Sequence, residues 1–311
     1  MKRDGGAKRQ GSRDGNGDGD DDDDGEEKQQ ELGVGLRLDE LPLDCLVRIL
    51  SNLPPLDCCR LALVSRAFSE ATATDALWEQ LLPPHYQETL AQADGGPPQC
   101  SSKKQLYDRI CQLITIKDGT EGYWLDRATG RVCHAVSAKA LSIIWGSDPK
   151  YWRWHSKHGS RFLKVAYLRN VCWFEVCGHL NCYMTPGAYT ISFRLQFDHL
   201  GHGFNKLPVK FTLSMIDGQH SESQRYLDGA EVPDIKQLGL SNLTSVRVVD
   251  DQWMEYDVGE FIVRTADELV EVTFSMMEIE GGEWKSGLFL DGAVIRPSYL
   301  VPHPVHERTI P

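Results

Sequence analysis

Leu41-Pro42-Leu43-Asp44-Cys45-Leu46-Val47-Arg48-Ile49-Leu50-Ser51-Asn52-Leu53 decides how the N-terminal half folds. Leu46, Ile49, Leu50 and Leu53 recur at i, i+3, i+4 and i+7, a single apolar stripe along a helix. Pro42 suits the first turn of that helix, and Pro54-Pro55 stops it. A second helix is expected after Leu56-Asp57, carrying Cys59, Leu63 and Val64, with Phe68 soon after. A third opens at Asp75 as N-cap and presents Trp78, Leu81 and Leu82 before Pro83-Pro84. Three short helices make a core too small to stand alone. They also carry more apolar side chains than they can hide, which marks an interaction surface; the alternative is a helical cap buried against the rest of the chain.

Upstream, residues 1–35 are Gly, Asp, Lys and Gln with almost nothing to bury, and are expected to be a disordered acidic tail. Asp14, Asn16, Asp18 and Gly19 match the start of a calcium-binding loop, but Gly25 stands where the closing Glu belongs. Downstream, Asp94-Gly95-Gly96-Pro97-Pro98 is a loop. Ser102 starts another amphipathic helix with Leu106, Ile110, Leu113 and Ile114 on one side, ending before Asp118-Gly119. Residues 85–119 therefore read as a linker with one helix.

From Tyr123 the pattern changes to strands. Tyr123-Trp124-Leu125 and Arg131-Val132-Cys133 flank a hairpin turn at 126–130. Residues 138–144 read as a short helical turn. Strands are expected at 151–155, 162–178, 188–197, 208–216, 223–227, 245–248, 253–262, 269–279 and 287–295, punctuated by Gly, Pro and Asp. Many short strands with little helix between them argue for an antiparallel sandwich or jelly roll. The fold class is α+β and multidomain: a helical module at 36–84, then a β-sandwich at 120–300, with a C-terminal tail at 301–311.

Composition limits function. The 311 residues are 41% hydrophobic and 25% charged, ordinary globular usage. Net charge is −12, and the basic footprint of a nucleic-acid binder is missing. No stretch approaches the ~20 apolar residues that span a bilayer, and the first thirty residues offer no secretory h-region. The Asn242-Leu243-Thr244 sequon accordingly reads as chance. Nine cysteines with no C-x-x-C pair read as reduced thiols in a nuclear and cytoplasmic protein. Cys172, Cys177, His179 and Cys182 could ligate zinc only if their strand broke, since alternation sends two to each face. No metal or cofactor is expected.

Taken with the later Cys59-Arg60-Leu61-Ala62-Leu63-Val64-Ser65-Arg66 and Trp78, the opening stretch resembles an F-box over residues 38–84. In that family the helices pack against a Skp-type adaptor that bridges to a cullin. The resemblance implies adaptor contacts from Leu41, Pro42, Leu46, Ile49, Leu50 and Leu53, then Leu61, Val64 and Trp78. One stripe cannot both fill the local core and face a partner, so about half of these are expected inside.

Tyr123-Trp124-Leu125-Asp126, Trp145-Gly146-Ser147-Asp148-Pro149-Lys150-Tyr151-Trp152-Arg153-Trp154, Asn170-Val171-Cys172-Trp173-Phe174-Glu175-Val176 and Gly282-Glu283-Trp284-Lys285-Ser286-Gly287-Leu288 resemble the phloem protein 2 family, whose lectin member is Nictaba. An F-box followed by this domain looks like a plant architecture. The resemblance implies a jelly roll able to bind N-acetylglucosamine-containing glycans, through Trp145 and Trp152 with Asp148 as a hydroxyl acceptor. Indoles stack on the apolar face of a sugar ring, while fixed polar groups hold its hydroxyls. Against this, Trp152 and Trp154 share a strand face and at least one belongs to the core. Asp148 is also a natural turn residue before Pro149. Trp173 and Trp284 are assigned to the core. A segment at about 218–245 resembles an insert that could alter the binding rim.

No nucleophile elbow or dinucleotide loop is present, and nothing pairs Glu280, Glu283 or Asp291 into a hydrolytic dyad. The expectation is a non-catalytic receptor subunit of a Skp–cullin–F-box ubiquitin ligase, its sandwich recruiting a glycosylated target. A stand-alone carbohydrate-binding protein, and a receptor whose sandwich binds protein directly, are the alternatives.

Overall fold

Among the described residues, six short α-helices lead into fourteen strands. A computed structural model describes residues 38–227, 246–250, 252–266 and 269–298. The acidic tail with its calcium-loop look-alike, residues 228–245 of the insert, the sequon and the tail at 301–311 lie outside the described residues.

Helix α1 (Leu43–Leu50) starts behind Pro42, and α2 (Pro55–Leu61) carries Pro55 at its first turn, where a missing N–H costs nothing. Helix α3 (Arg66–Ala73) is capped by Ser65, whose hydroxyl accepts from Phe68 N at 3.3 Å. The sequence reading placed no helix there, because Leu63 and Val64 were assigned to a longer second helix; α2 ends before them. Helix α4 (Asp75–Leu81) is preceded by Thr74 as N-cap residue rather than Asp75. Asp75 instead accepts the backbone N–H of Lys103 at 2.8 Å, tying α4 to α6 (Lys103–Ile110). Between them lies α5 (Tyr86–Leu90), also unforeseen. Helix α6 stops at Ile110, and Ile114 begins strand β1 (Ile114–Ile116), so Leu113 and Ile114 are not on the helical stripe.

The remaining strands are β2 (Glu121–Leu125), β3 (Val132–Ser137), β4 (Ser142–Ile143), β5 (Trp152–His155), β6 (Val165–Leu168), β7 (Phe174–Tyr183), β8 (Gly187–His202), β9 (Val209–Met215), β10 (His220–Arg225), β11 (Val246–Asp250), β12 (Trp253–Val263), β13 (Leu269–Glu278) and β14 (Ser286–Pro297). The single strand expected at 162–178 is two, β6 and β7, because the chain changes sheets between them. A large sheet runs β1-β2-β3-β14-β8-β12-β11, with β6 also on β14 and β5 on β6; a smaller sheet runs β10-β9-β13-β7-β4. Every pairing is antiparallel among the described residues. Within this, β6-β14-β8-β12 faces β7-β13-β9-β10, with the chain crossing between the two at each step except the β9–β10 hairpin. That is the double Greek key of a jelly roll.

The sandwich core lies between the sheets, around Phe174, Phe193, Phe211 and Phe274. At the β8–β14 register shift, Gly292 has φ +151°, and a Cβ there would meet Val136 O at 1.9 Å. Beside the shift, Asp291 is buried 3.0 Å from Arg194 Nε.

A second core crosses from helices to strands. Leu46, Leu50, Leu77 and Trp78 belong to one buried cluster with Tyr86, Leu90, Tyr107, Ile110, Ile114, Tyr123 and Val132. The segment expected to be a linker is thus the middle of a core. The β2–β3 turn closes it: Gly130 takes φ +72°, and a Cβ would press on Pro55 and Tyr107.

His134 sits on β3 with 2% exposure beside Tyr123. Burial outweighs the nearby Tyr183 carbonyl and pushes its pKa down to about 4 from 6.5. The folded state therefore holds the ring neutral. Its contribution is complete above pH 6.5 and is lost as pH falls from there through 4. His134→Leu is expected to flatten that part of the stability–pH curve, by up to about 3 kcal/mol, in urea unfolding between pH 7 and 4.

Candidate functional site

Two surfaces stand out, one on each module. On the helical module the expected partner-facing set divides. Leu46, Leu50 and Trp78 are buried, which corrects their assignment: the i, i+4 stripe of α1 faces inward. Trp78 donates its indole N–H to Thr72 O at 2.8 Å and tilts against Tyr107. Leu41, Leu53 and Leu61 are half-buried and pack against that core. Pro42, Ile49 and Val64 are exposed. Leu43 and Leu63 join them, Leu63 at 89% and Val64 at 69% exposure. The exposed set follows from α2 ending at Leu61, which leaves Leu63 and Val64 on the turn toward α3.

On the sandwich the tryptophans also divide. Trp152 is 1% exposed, donates to Ile144 O at 3.0 Å and stacks near Phe174. It cannot meet a ligand in this fold, which corrects its assignment as a sugar contact. Asp148 is spent on a turn: its Oδ1 accepts Lys150 N at 2.8 Å, and its carbonyl accepts Trp152 N. Trp145 is 54% exposed and holds φ +58°. A bulky side chain in the left-handed region costs on the order of 1–3 kcal/mol, which suggests a use for that conformation.

Trp173 and Trp284, expected in the core, are 48% and 50% exposed. Alternation along β7 explains the first. Phe174 and Val176 point inward, so Trp173 and Glu175 point out, and the indole N–H donates to Glu175 Oε2 at 3.0 Å. That signal was legible in the sequence, and the default placement of a large apolar side chain in the core passed over it. Three adjoining segments carry the three exposed indoles. Ile144 N bonds Glu175 O, which sets Trp145 beside the start of β7. Val171 bridges Lys285, which sets Trp284 beside Cys172 on the other side. The result is a ridge of adjoining backbone segments at one end of the smaller sheet that carries three exposed indoles, with Tyr151 leaning on Trp145.

A buried ion pair holds the ridge. Lys285, 1% exposed, pairs with Glu278 and donates to Cys172 O at 2.9 Å and Glu283 O at 2.8 Å. One ammonium thus fixes both segments that bear Trp173 and Trp284. Cys172, Cys177, His179 and Cys182 do not converge; His179 instead meets Glu271 at 3.2 Å. No group of three or more metal-ligating side chains occurs among the described residues.

Lys285→Met is expected to cost about 3–5 kcal/mol, because it strands Glu278 in the interior. Pairing it with Glu278→Met should recover most of that loss in urea titration. Trp152→Ala is expected to lose ~3–5 kcal/mol, whereas Trp145→Gly should hold or raise the melting temperature by relieving strain.

The phloem protein 2 family model matches residues 131–297, and an F-box-like model matches residues 38–83. F-box protein PP2-A15 from Arabidopsis thaliana is 35% identical over 282 residues, 86% of this chain and 90% of that one. F-box protein PP2-A12 from the same plant is 34% identical over 275 residues, covering 84% of this chain and 88% of that one. Among solved structures, a family 35 carbohydrate binding module from Clostridium thermocellum has 12% identity and a TM-score of 0.30, covering 53% of this chain and 98% of that one, too slight a likeness to bear on function.

Proposed function

From the premise that this chain belongs to the F-box-bearing phloem protein 2 family, we propose that it is the substrate receptor of a Skp–cullin–F-box ubiquitin ligase. The observation that carries this reading is the exposure of Pro42, Leu43, Ile49, Leu63 and Val64 on the helical module. Exposed aliphatic groups of this density, on a module whose own core is already filled, call for a protein partner. A Skp-type adaptor covering them needs only ~800 Å² per side, within reach of a few short helices. Through the adaptor the chain joins a cullin. Its own role is then positional: it raises the effective concentration of a target beside the ubiquitin donor, and other subunits do the chemistry.

The indole ridge is the target-facing surface on this reading. Trp145, Trp173 and Trp284 offer flat apolar faces, suited to the C–H faces of N-acetylglucosamine-type glycans on a glycoprotein. Direct contact with an unglycosylated protein is the second reading. It is favoured by the engagement of the acceptors there, since Asp148 Oδ1 accepts from Lys150 N and Glu175 Oε2 from the Trp173 indole. The site of action on either reading is the nucleus and cytoplasm, where cullin ligases and reduced thiols coexist.

Adaptor capture from plant extract tests the ligase role. Wild-type protein should retain a Skp-type adaptor, and a Leu63→Glu/Val64→Glu variant should lose at least roughly tenfold in affinity at unchanged melting temperature. No capture by the wild type would overturn the proposal. A glycan array run on wild type and Trp145→Gly separates the two target readings: glycan binding that the variant loses supports the first.

A further inference from the structure

The hairpin of β5 and β6 runs against the charge of the chain. Residues 149–174 hold six Lys or Arg residues, two His and no Asp or Glu, in a chain of net charge −12. The hairpin register opposes Trp152 to Leu168 and Trp154 to Ala166. Those four side chains pack into the sandwich core. Strand alternation then sends Arg153, His155 and Tyr167 to the outer face. Arg153 and His155 are exposed there. So is Arg169, one step past β6, whose backbone N–H donates to Tyr151 O at 2.8 Å.

Aromatic rings carry this strip onto the next strand. Tyr167 opposes Phe289 on β14 with ring centroids 4.5 Å apart, and His155 meets Tyr167 edge-on at 5.7 Å. Lys157 lies 3.8 Å over the Phe289 ring, a cation–π contact. Arg169 donates from Nη1 to Pro149 O at 3.0 Å. Neutral groups thus hold both cations in place. Among the described residues no carboxylate comes within ion-pairing distance of Arg153, Lys157 or Arg169, whereas Arg161 of the same stretch is engaged by Glu255 at 3.1 Å. A cation with no carboxylate beside it leaves its field to an outside anion.

The layout narrows the class of anion. Phe289 stands two strands from Arg153, about 10 Å away at ordinary strand spacing. With Lys157 and Arg169 held apart in this way, the cations do not close on one small ion, and the partner must carry several acids along a chain. A nucleic acid fits poorly. Its bases need open ring faces to stack on, and here Lys157 covers Phe289 while Tyr167 leans on it. Asp198 closes the strip on the β8 side, where it accepts from Tyr167 OH at 3.2 Å and meets His199 at 2.8 Å. A continuous phosphate backbone would meet that carboxylate and the net charge of −12, whereas a short acidic peptide can lie on the cations alone.

We infer that the outer face of the β5–β6 hairpin docks a short acidic peptide segment, its carboxylates held by Arg153, Lys157 and Arg169. That the segment belongs to a ubiquitination target rests on the receptor reading above; the docking itself does not. Tyr151 joins the strip to Trp145, which sets the two contact surfaces side by side.

Fluorescence anisotropy of the full chain tests it, with a labelled peptide of alternating glutamate and serine, about nine residues long. The glutamine–serine counterpart and a single-stranded oligodeoxythymidine are the other probes. The acidic peptide should bind saturably below about 1 mM and weaken as salt rises. The neutral peptide should not bind, and the oligonucleotide should bind less tightly. Arg153→Glu and Lys157→Glu should each weaken the acidic peptide roughly tenfold. Arg264→Glu, a reversal at the exposed partner of Asp217, should leave it unchanged. Lys157→Glu keeps the test decisive if Arg153→Glu does not fold. The inference is overturned by no saturable binding, by equal binding of the neutral peptide, by tighter binding of the oligonucleotide, by binding that survives both reversals, or by an equal loss in Arg264→Glu. Adaptor capture by Arg153→Glu should equal that of wild type, so failure of the docking and failure of the receptor role are read separately.

Discussion

The apolar cluster that runs from Leu46 on α1 to Val132 on β3 is the constraint on which the rest of the molecule depends. Neither module can complete it alone. The helices supply Leu50, Leu77 and Trp78; the connecting segment supplies Tyr86, Tyr107 and Ile110; the first strands supply Tyr123 and Leu125. Each fully buried side chain of this size contributes about 1.5–3 kcal/mol relative to exposure. Dividing the cluster would expose several at once, more than the whole stability of an ordinary domain can absorb. The exposed apolar residues of the helices and the two sheets of the sandwich are therefore carried on one folded unit, and the distance between them is set by packing instead of by a tether.

Charge does similar work on the outer face of the large sheet. Glu255, fully buried on β12, is ringed by guanidinium groups: Arg161 at 3.1 Å, Arg247 at 3.5 Å, Arg194 at 3.7 Å, and Arg296. These come from β8, β11, β14 and the segment before β6, so one carboxylate ties four separate pieces of chain. Such clusters contribute less to net stability than to uniqueness of register, because desolvation offsets most of the attraction. The Lys285–Glu278 pair does the same on the smaller sheet, where it pins the loops that bear Trp173 and Trp284.

Much of this was legible in the sequence, and the failures have physical causes. The Ser102 cap and the 126–130 hairpin follow from local rules and form where expected. The expected α1 stripe keeps only Leu46 and Leu50: Ile49 is exposed and Leu53 lies beyond the helix end, with Val47 completing the buried face. The sandwich was legible from strand punctuation alone. Helix α3 was missed because its Arg-Ala-Phe-Ser-Glu-Ala-Thr-Ala run is weakly apolar and is set by its Ser65 cap and by contact with α1. The orientation of Leu46, Leu50 and Trp78 could not be read from one stripe, since the stripe looks the same whether a partner or its own chain covers it. Trp152 was misassigned because a family motif names residues without saying which way a strand faces. Trp173 was recoverable by counting alternate positions from Phe174. The Glu255 cluster was beyond the sequence, because it joins residues as far apart as Arg161 and Arg296.

Scanning calorimetry of residues 38–298 tests the shared core most directly. A single cooperative transition is predicted, one that Tyr107→Ala shifts to lower temperature as a whole. Two resolved transitions, with Tyr107→Ala moving only the one that belongs to the helices, would contradict it.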